Sequence, residues 1–173
     1  MDKLIFARCF AAWVAGLNAI GSCLIFALMV LINIDVLSRF LLNAPISGVT
    51  ELVELSIVGI VFLQISDAIR GGRLIRSDNL YARLLAHAPV AGHALGASFD
   101  LAGALFFGAI LYGSLPRLLE AYRGGYYSGN VGLFTVPVWP IRLILVIGCL
   151  TAILVFLKFV WKHMLEMVNA YGK

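Results

Sequence analysis

Residues 9–34 read CFAAWVAGLNAIGSCLIFALMVLINI, and this stretch contains no charged side chain. A helix needs about 20 mainly apolar residues to cross the ~30 Å hydrocarbon core of a bilayer, so the stretch is long enough for one span. It exceeds the apolar core of a cleaved signal peptide, which runs about 7–15 residues, and no A-x-A-like exit follows it. We therefore interpret it as a retained signal-anchor of a membrane protein.

The composition of the whole chain agrees with this interpretation. Of its 173 residues, 62% are hydrophobic and 13% are charged, and the mean hydropathy is +0.99. A typical soluble domain is roughly 45–50% apolar and about 25% charged. A soluble fold of this size exposes too much surface to hide such an apolar excess from water. A soluble fold, disorder and nucleic-acid-binding tails are therefore excluded.

Four apolar segments that could each span a bilayer follow one another along the chain. We place the spans at about residues 9–34, 52–69, 92–115 and 138–161. They account for most of the sequence and leave no room for a separate soluble domain. The pattern predicts an all-α integral membrane protein, with a single four-helix membrane domain over residues 1–173.

The positive charges outside these spans and near their ends predict the orientation. Nine of the thirteen Lys and Arg residues lie at the N-terminus, in the link between the second and third spans, or at the C-terminus. The other four lie on the opposite side: Arg39, Arg117, Arg123 and Arg142. Because Lys and Arg are enriched in cytoplasmic loops, both termini are predicted to be cytoplasmic.

A short interfacial helix is predicted in the link between the second and third spans. Ser77 or Asp78 is a suitable N-cap for it. Apolar side chains then alternate with basic ones at helical spacing: Leu80, Tyr81, Leu84 and Leu85 on one face, and Arg76, Arg83 and His87 on the other. We expect the basic face to lie against anionic lipid headgroups on the cytoplasmic side.

The residues predict no enzyme, cofactor or metal centre. The three cysteines lie far apart and have no CxxC or zinc-ligand spacing. The sequence contains no GxSxG motif and no phosphate-binding loop of the GxxxxGK[ST] type. We do not expect His87, His93 and His163 to provide a facing pair within two spans, which argues against a haem-bearing membrane anchor.

The densest group of ionisable side chains lies around the first outer link: Asp35, Arg39, Glu51 and Glu54. Such groups are costly in a membrane and are candidates for function. Asp35 and Arg39 share a face if the first helix continues, and Glu51 and Glu54 also share one. The group is either a cation site or proton relay, or an ion-pair network that pins the first hairpin and docks another subunit. The nearby water boundary and the positive charge of Arg39 favour the network.

Asp100, inside the third span, is a second candidate. It shares a helix face with Gly92, Gly96 and Gly103, whose small size lets another helix approach closely. Asp100 is either a proton carrier, as in small drug/proton antiporters, or a helix-packing residue with a hydrogen-bonded partner, which we favour. A polar stripe on the first span is also expected to join helices: Asn18, Ser22 and Asn33.

The residues around the first outer link resemble a known family. Asp35-x-x-x-Arg39-Phe40 is followed by Asn43-x-Pro45-x-x-Gly48 and then by Glu51-x-x-Glu54 across a span-loop-span junction. This run resembles the small membrane subunit, of the DctQ type, of the tripartite ATP-independent periplasmic (TRAP) transporters. GRLIRSD at residues 72–78 and VPVWP at residues 136–140 are similar to the family as well.

The resemblance implies one part of a three-part transporter in the bacterial inner (cytoplasmic) membrane. A periplasmic binding protein captures the solute, often a carboxylate such as a dicarboxylate or sialic acid. A large polytopic subunit binds solute and sodium and performs the transport movement. This chain would then be a small auxiliary permease subunit, without catalytic residues or a cofactor, that scaffolds the large subunit and helps to dock the binding protein.

The resemblance also implies roles for the residues of the first hairpin. Pro45 and Gly48 would shape the turn, because proline fixes φ and glycine relaxes steric limits. Asn43 would satisfy backbone groups. Arg39 would hold the hairpin or meet the large subunit, together with one or more acidic residues: Asp35, Glu51 or Glu54.

Two alternatives belong to different functional classes. The first is a self-sufficient small proton-coupled transporter that acts as a homo-oligomer and uses Asp100 or Glu54 as its proton site. The second is a membrane-anchored redox subunit, which would show a haem or flavin spectrum.

Overall fold

The structure is a computed structural model and describes residues 2–72, 89–130 and 134–171. Its helices are α1 (Asp2–Leu42), α2 (Val49–Arg70), α3 (Pro89–Gly124) and α4 (Trp139–Tyr171). All four are long and apolar enough to cross a membrane, which confirms a helical membrane protein with four candidate spans. The cytoplasmic location of the termini stays a prediction. The interfacial helix predicted around Ser77 to His87 lies outside the described residues.

The helices extend beyond the apolar segments from which the spans were predicted. The third span was expected to end at Leu115, yet α3 continues through Pro116. A proline inside a helix removes one backbone hydrogen bond but need not end the helix in a membrane protein. The helix ends before Gly125, whose φ of +58° is left-handed, and the N–H of Tyr126 donates to the carbonyl oxygen of Ala121 at 3.2 Å.

A β-hairpin that the sequence pattern does not predict connects α3 and α4. Its strands are β1 (Tyr127–Asn130) and β2 (Phe134–Pro137), which pair antiparallel with Tyr127 opposite Pro137. The N–H of Val138 donates to the carbonyl oxygen of Tyr126 at 3.0 Å and closes the base of the hairpin. Residues 127–130 and 134–137 of the link between α3 and α4 are therefore paired strands.

The main helix contacts follow the order α1–α2–α4–α3. Helix α2 packs between α1 and α4, and α4 packs between α2 and α3. The core draws side chains from all four helices: Val14, Ile69, Ala104, Val155 and Phe156. In its most apolar stretch α4 has 39% of its residues buried, whereas α1 has 11%. Helices α1 and α3 therefore form the two edges of the array.

The alternating helix directions give the array two chemically distinct ends. The terminal end holds the start of α1, the end of α2, the start of α3 and the end of α4. The hairpin end holds the turn at residues 43–48 and the β1–β2 hairpin. The charge pattern predicts that the terminal end is cytoplasmic and the hairpin end periplasmic.

Candidate functional site

Asp35 links α1 to the loop between α1 and α2 at the hairpin end. Its Oδ2 accepts a hydrogen bond from Arg39 Nη2 at 2.9 Å, one helical turn away. Its Oδ1 accepts one from the backbone N–H of Ile46, also at 2.9 Å. The residue is buried, with 7% of its surface exposed. One carboxylate therefore ties the last turns of α1 to the loop that follows.

The loop itself reverses direction through two left-handed residues. Asn43 has a φ of +50° and ends α1, and Gly48 has a φ of +87° and is the N-cap of α2. Pro45 lies between them and restricts the backbone further. The Ser38 hydroxyl donates to the carbonyl oxygen of Ala44 at 2.7 Å, which adds a second link between α1 and the loop. Sequence patterns did not single out Ser38 or the Ile46 N–H.

The structure pairs Arg39 with only one of its three predicted acidic partners. Among the described residues, neither Glu51 nor Glu54 forms an ion pair; Glu51 is half-buried and Glu54 is exposed. The Arg39 side chain remains 61% exposed even though it contacts Asp35. The predicted four-charge group is therefore an Asp35–Arg39 pair with two carboxylates beside it, and the docking role of all four stays a proposal.

A second Asp–Arg pair joins α1 and α2 at the terminal end. Asp67 is buried; it accepts hydrogen bonds from Asn18 Nδ2 and from Arg70 Nη2, each at 3.3 Å. Arg70 also donates to the backbone oxygen of Ala11 at 3.2 Å. The expectation that Asn18 joins helices is confirmed, whereas Asn33 donates to a carbonyl of its own helix.

The glycine face of α3 lies against α4. A Cβ atom on Gly96 would lie 3.0 Å from the His163 ring, and one on Gly103 would lie 2.6 Å from the Phe156 ring. Gly92 is buried on the same helix. These contacts fit the expected helix-packing role of the glycines, which remains a proposal until it is tested by substitution.

A polar cluster forms where this face meets the end of α4. His93 and His163 face each other with ring centroids 5.8 Å apart, so the expectation that no histidine pair faces across two spans is wrong. Asp100, 1% exposed, places Oδ2 3.5 Å from His163 Nε2, and Glu166 Oε2 lies 3.3 Å from His93 Nδ1. The antiparallel register of α3 and α4 cannot be read from linear spacing. One signal was present, because His93 shares the helix face of Gly96 and Asp100.

A family model for the DctQ component of the tripartite ATP-independent periplasmic transporters matches residues 28–166. The match contains both the Asp35–Arg39 pair and the histidine cluster. No curated protein and no solved structure matches the chain. Because the family model covers well over half of the sequence, the chain belongs to the DctQ family of TRAP transporter components.

Proposed function

We propose that this protein is the small permease subunit of a sodium-coupled, binding-protein-dependent transporter in the bacterial inner membrane. Its solute would be an organic acid such as a carboxylate or sialic acid, carried by the large subunit. The observation that carries the proposal is the DctQ family match over residues 28–166. Four candidate spans agree with a subunit that acts within the bilayer.

The helix order supports a scaffolding role. Helix α1 lies at an edge of the array, and a groove between it and α2 is lined by Ile25, Met29, Ile57 and Val61, with Asn33 among the lining residues. Lipid tails are as apolar as these side chains, so helices associate in membranes through close packing and polar contacts. The apolar side chains of this groove allow close packing, and the Asn33 amide allows a polar contact. We infer that a helix of the large subunit occupies the groove.

The hairpin end supports a role in docking the periplasmic binding protein. The Arg39 side chain is 61% exposed, and Tyr126 and Tyr127 at the start of the β1–β2 hairpin are 52% and 56% exposed. Arg and Tyr are enriched among the residues that dominate protein–protein binding. Arg39 also lies beside the turn at residues 43–48, which the hydrogen bond from the Ile46 N–H to Asp35 holds in place, and this lowers the entropic cost of binding.

Reconstitution into proteoliposomes tests the proposal. The large subunit and the solute-binding protein, expected to be encoded beside this chain, would be combined with it under an inward sodium gradient. We expect uptake of a radiolabelled organic acid only when all three proteins are present. The matched control omits this chain and keeps the other two.

The same vesicles discriminate the self-sufficient transporter. This chain alone, placed under a proton or a sodium gradient, is expected to give no uptake above that of empty vesicles. Uptake by the isolated chain, or full uptake without it, would contradict the auxiliary role. A haem or flavin absorbance in the purified protein would instead support the redox subunit.

A further inference from the structure

Three potential metal ligands meet between α3 and α4 at the terminal end. The Nδ1 atoms of His93 and His163 lie 3.5 Å apart. Oε2 of Glu166 lies 3.3 Å from the first of these nitrogens and 3.8 Å from the second. The ligand atoms thus form a compact triangle that joins residues 70 positions apart in the sequence.

The size of this triangle matches the coordination sphere of a small divalent ion. In a tetrahedral zinc site with bonds of about 2.0–2.1 Å, neighbouring ligand atoms are separated by about 3.3–3.4 Å. The three observed edges lie within a few tenths of an ångström of that separation. Two imidazoles and one carboxylate also form a ligand set that zinc uses, with a fourth position left for water.

Asp100 supplies the second feature that points to a ligand site. Its Oδ2 lies 3.5 Å from Nε2 of His163, the ring nitrogen on the side away from the triangle. A carboxylate there favours a proton on Nε2 and directs the lone pair of Nδ1 towards the triangle. Metal-bound histidines are commonly oriented by a carboxylate in this way. Gly96 makes room for the ring, since a Cβ at that position would lie 3.0 Å from it.

The site is enclosed yet reachable. The side chains of His93 and His163 are 16% and 13% exposed, and that of Glu166 is 39% exposed. Lys162 is the nearby opposing charge, with Nζ 3.8 Å from Oε1 of Glu166. It contacts the other carboxylate oxygen, so Oε2 remains directed at the two histidines.

We propose that His93, His163 and Glu166 form a binding site for Zn²⁺, or for a divalent transition metal of similar size, with Asp100 as the residue that orients His163. The ion would link α3 to α4 at the predicted cytoplasmic end of the array. The proposal is independent of the solute and of the partner subunits, because all four residues belong to this chain.

Metal titration of the full chain tests the proposal. The protein would be purified in detergent without a polyhistidine tag, stripped with a chelator, and titrated with Zn²⁺ against a chromophoric competitor. We expect one high-affinity Zn²⁺ per chain. Titration with Co²⁺ should give the visible bands of a tetrahedral site, without the thiolate charge-transfer band that the free cysteines would produce.

Variants of two of the proposed ligands and of the orienting carboxylate test the assignment. His163→Gln and Glu166→Gln should each weaken Zn²⁺ binding by at least tenfold, and Asp100→Asn should weaken it by about 10–100-fold. Glu120→Gln is the matched control, because this exposed acid lies near the opposite end of α3. Far-UV circular dichroism and gel filtration would verify that each variant is folded; Glu166→Gln is the safest, being the most exposed ligand.

Two results would overturn the proposal. One is a wild-type chain that takes up no stoichiometric Zn²⁺, which would mean that the cluster is a hydrogen-bonded contact between helices. The other is wild-type affinity in both His163→Gln and Glu166→Gln, which would place any bound ion elsewhere.

Discussion

Asp35 accepts one hydrogen bond from its own helix and one from the loop beyond it, so a single buried carboxylate serves two parts of the chain. Arg39 contributes one of those bonds from a largely exposed position. Exposed ion pairs contribute little to stability, whereas a buried acceptor that satisfies a backbone N–H contributes more. The two members of the pair should therefore respond differently to substitution.

We expect Asp35→Ala to lower the melting temperature of the purified protein in detergent, because the Ile46 N–H and the Arg39 guanidinium both lose their acceptor. Arg39→Ala should lower it less. The same Arg39→Ala variant should reduce co-purification with the large subunit or sodium-driven uptake, while still inserting into the membrane. Thermal unfolding followed by circular dichroism, together with pull-down from co-expressing cells, measures both effects.

Glu54→Gln is the control for the Asp35→Ala and Arg39→Ala variants, since Glu54 is exposed and forms no ion pair among the described residues. It should leave the melting temperature unchanged. If Arg39→Ala assembles and transports like the wild type, the proposed role of Arg39 at an interface is wrong.

Gly48 occupies a backbone conformation that other residues adopt only at a cost. Its φ of +87° is left-handed, and it caps α2 immediately after the turn. We expect Gly48→Ala to destabilise the protein by about 1–2 kcal/mol, the usual penalty for placing a Cβ in this region. Denaturant unfolding in detergent checks the value. Gly16→Ala is the control, because a Cβ at Gly16 meets nothing within 4 Å, and it should be neutral or slightly stabilising.

At the scale of the elements, the α2–α4 contact depends on a backbone approach. A Cβ on Gly148 would collide with the backbone carbonyl oxygen of Phe62, and the Ser66 hydroxyl donates to the Gly148 carbonyl at 3.5 Å. Both observations place the two helices unusually close together. Because the obstructing atom is backbone, a rotamer change cannot relieve the clash.

We therefore expect Gly148→Ala to push α2 and α4 apart and to cost about 1–3 kcal/mol, the range for overpacking a well-packed site. Thermal unfolding of the purified variant measures the loss. Gly113→Ala is matched to it, since no atom lies within 4 Å of the Cβ it would add. Equal melting temperatures for the two variants would contradict the close α2–α4 packing.

The helices could be predicted from the sequence, whereas their ends could not. An apolar run marks the part of a helix that lies in the hydrocarbon core of the bilayer, so it predicts the limits of the span. A helix ends where its backbone hydrogen bonds end, at residues such as Asn43 and Gly125 in the left-handed region. Hence α3 continues past Pro116, and the β1–β2 hairpin follows in a link where no strand was predicted.

At the scale of the whole molecule, the orientation predicted from charge can be tested directly. In a cysteine-free background, Ser128→Cys in β1 should react in intact cells with a membrane-impermeant maleimide. A green fluorescent protein fused to the C-terminus should fluoresce, and alkaline phosphatase fused there should be inactive. The opposite pattern would mean that the positive charges had been assigned to the wrong side.

The groove between α1 and α2 leads to a prediction about assembly. Val61→Trp would fill the groove, since Val61 lines it and is 51% exposed. We expect this variant to lose co-purification with the large subunit while keeping its helical content. Leu105→Trp, on the exposed surface of α3 and 67% exposed, should assemble normally. Assembly by both variants would mean that the large subunit binds elsewhere.

The two polar clusters differ in how far they could be predicted. Asp35 and Arg39 are four residues apart, so one continuing helix brings them together and local spacing predicts the pair. Glu51 and Glu54 belong to the next helix, and their distance from Arg39 depends on the turn between. His93 and His163 meet only because α3 and α4 pack in one particular register.

The amino-acid sequence by itself determined that this protein lies in a lipid bilayer, how many spans it has, and that Asp35 pairs with Arg39. Each of these features depends on residues within one helix length. Its family followed from the same local motifs. Only the tertiary structure decided the order α1–α2–α4–α3, the choice of Asp35 among three acidic partners, and the cluster of His93, His163, Asp100 and Glu166. Those features depend on which faces of separate helices oppose each other, and in a bilayer every face is apolar enough to be a candidate.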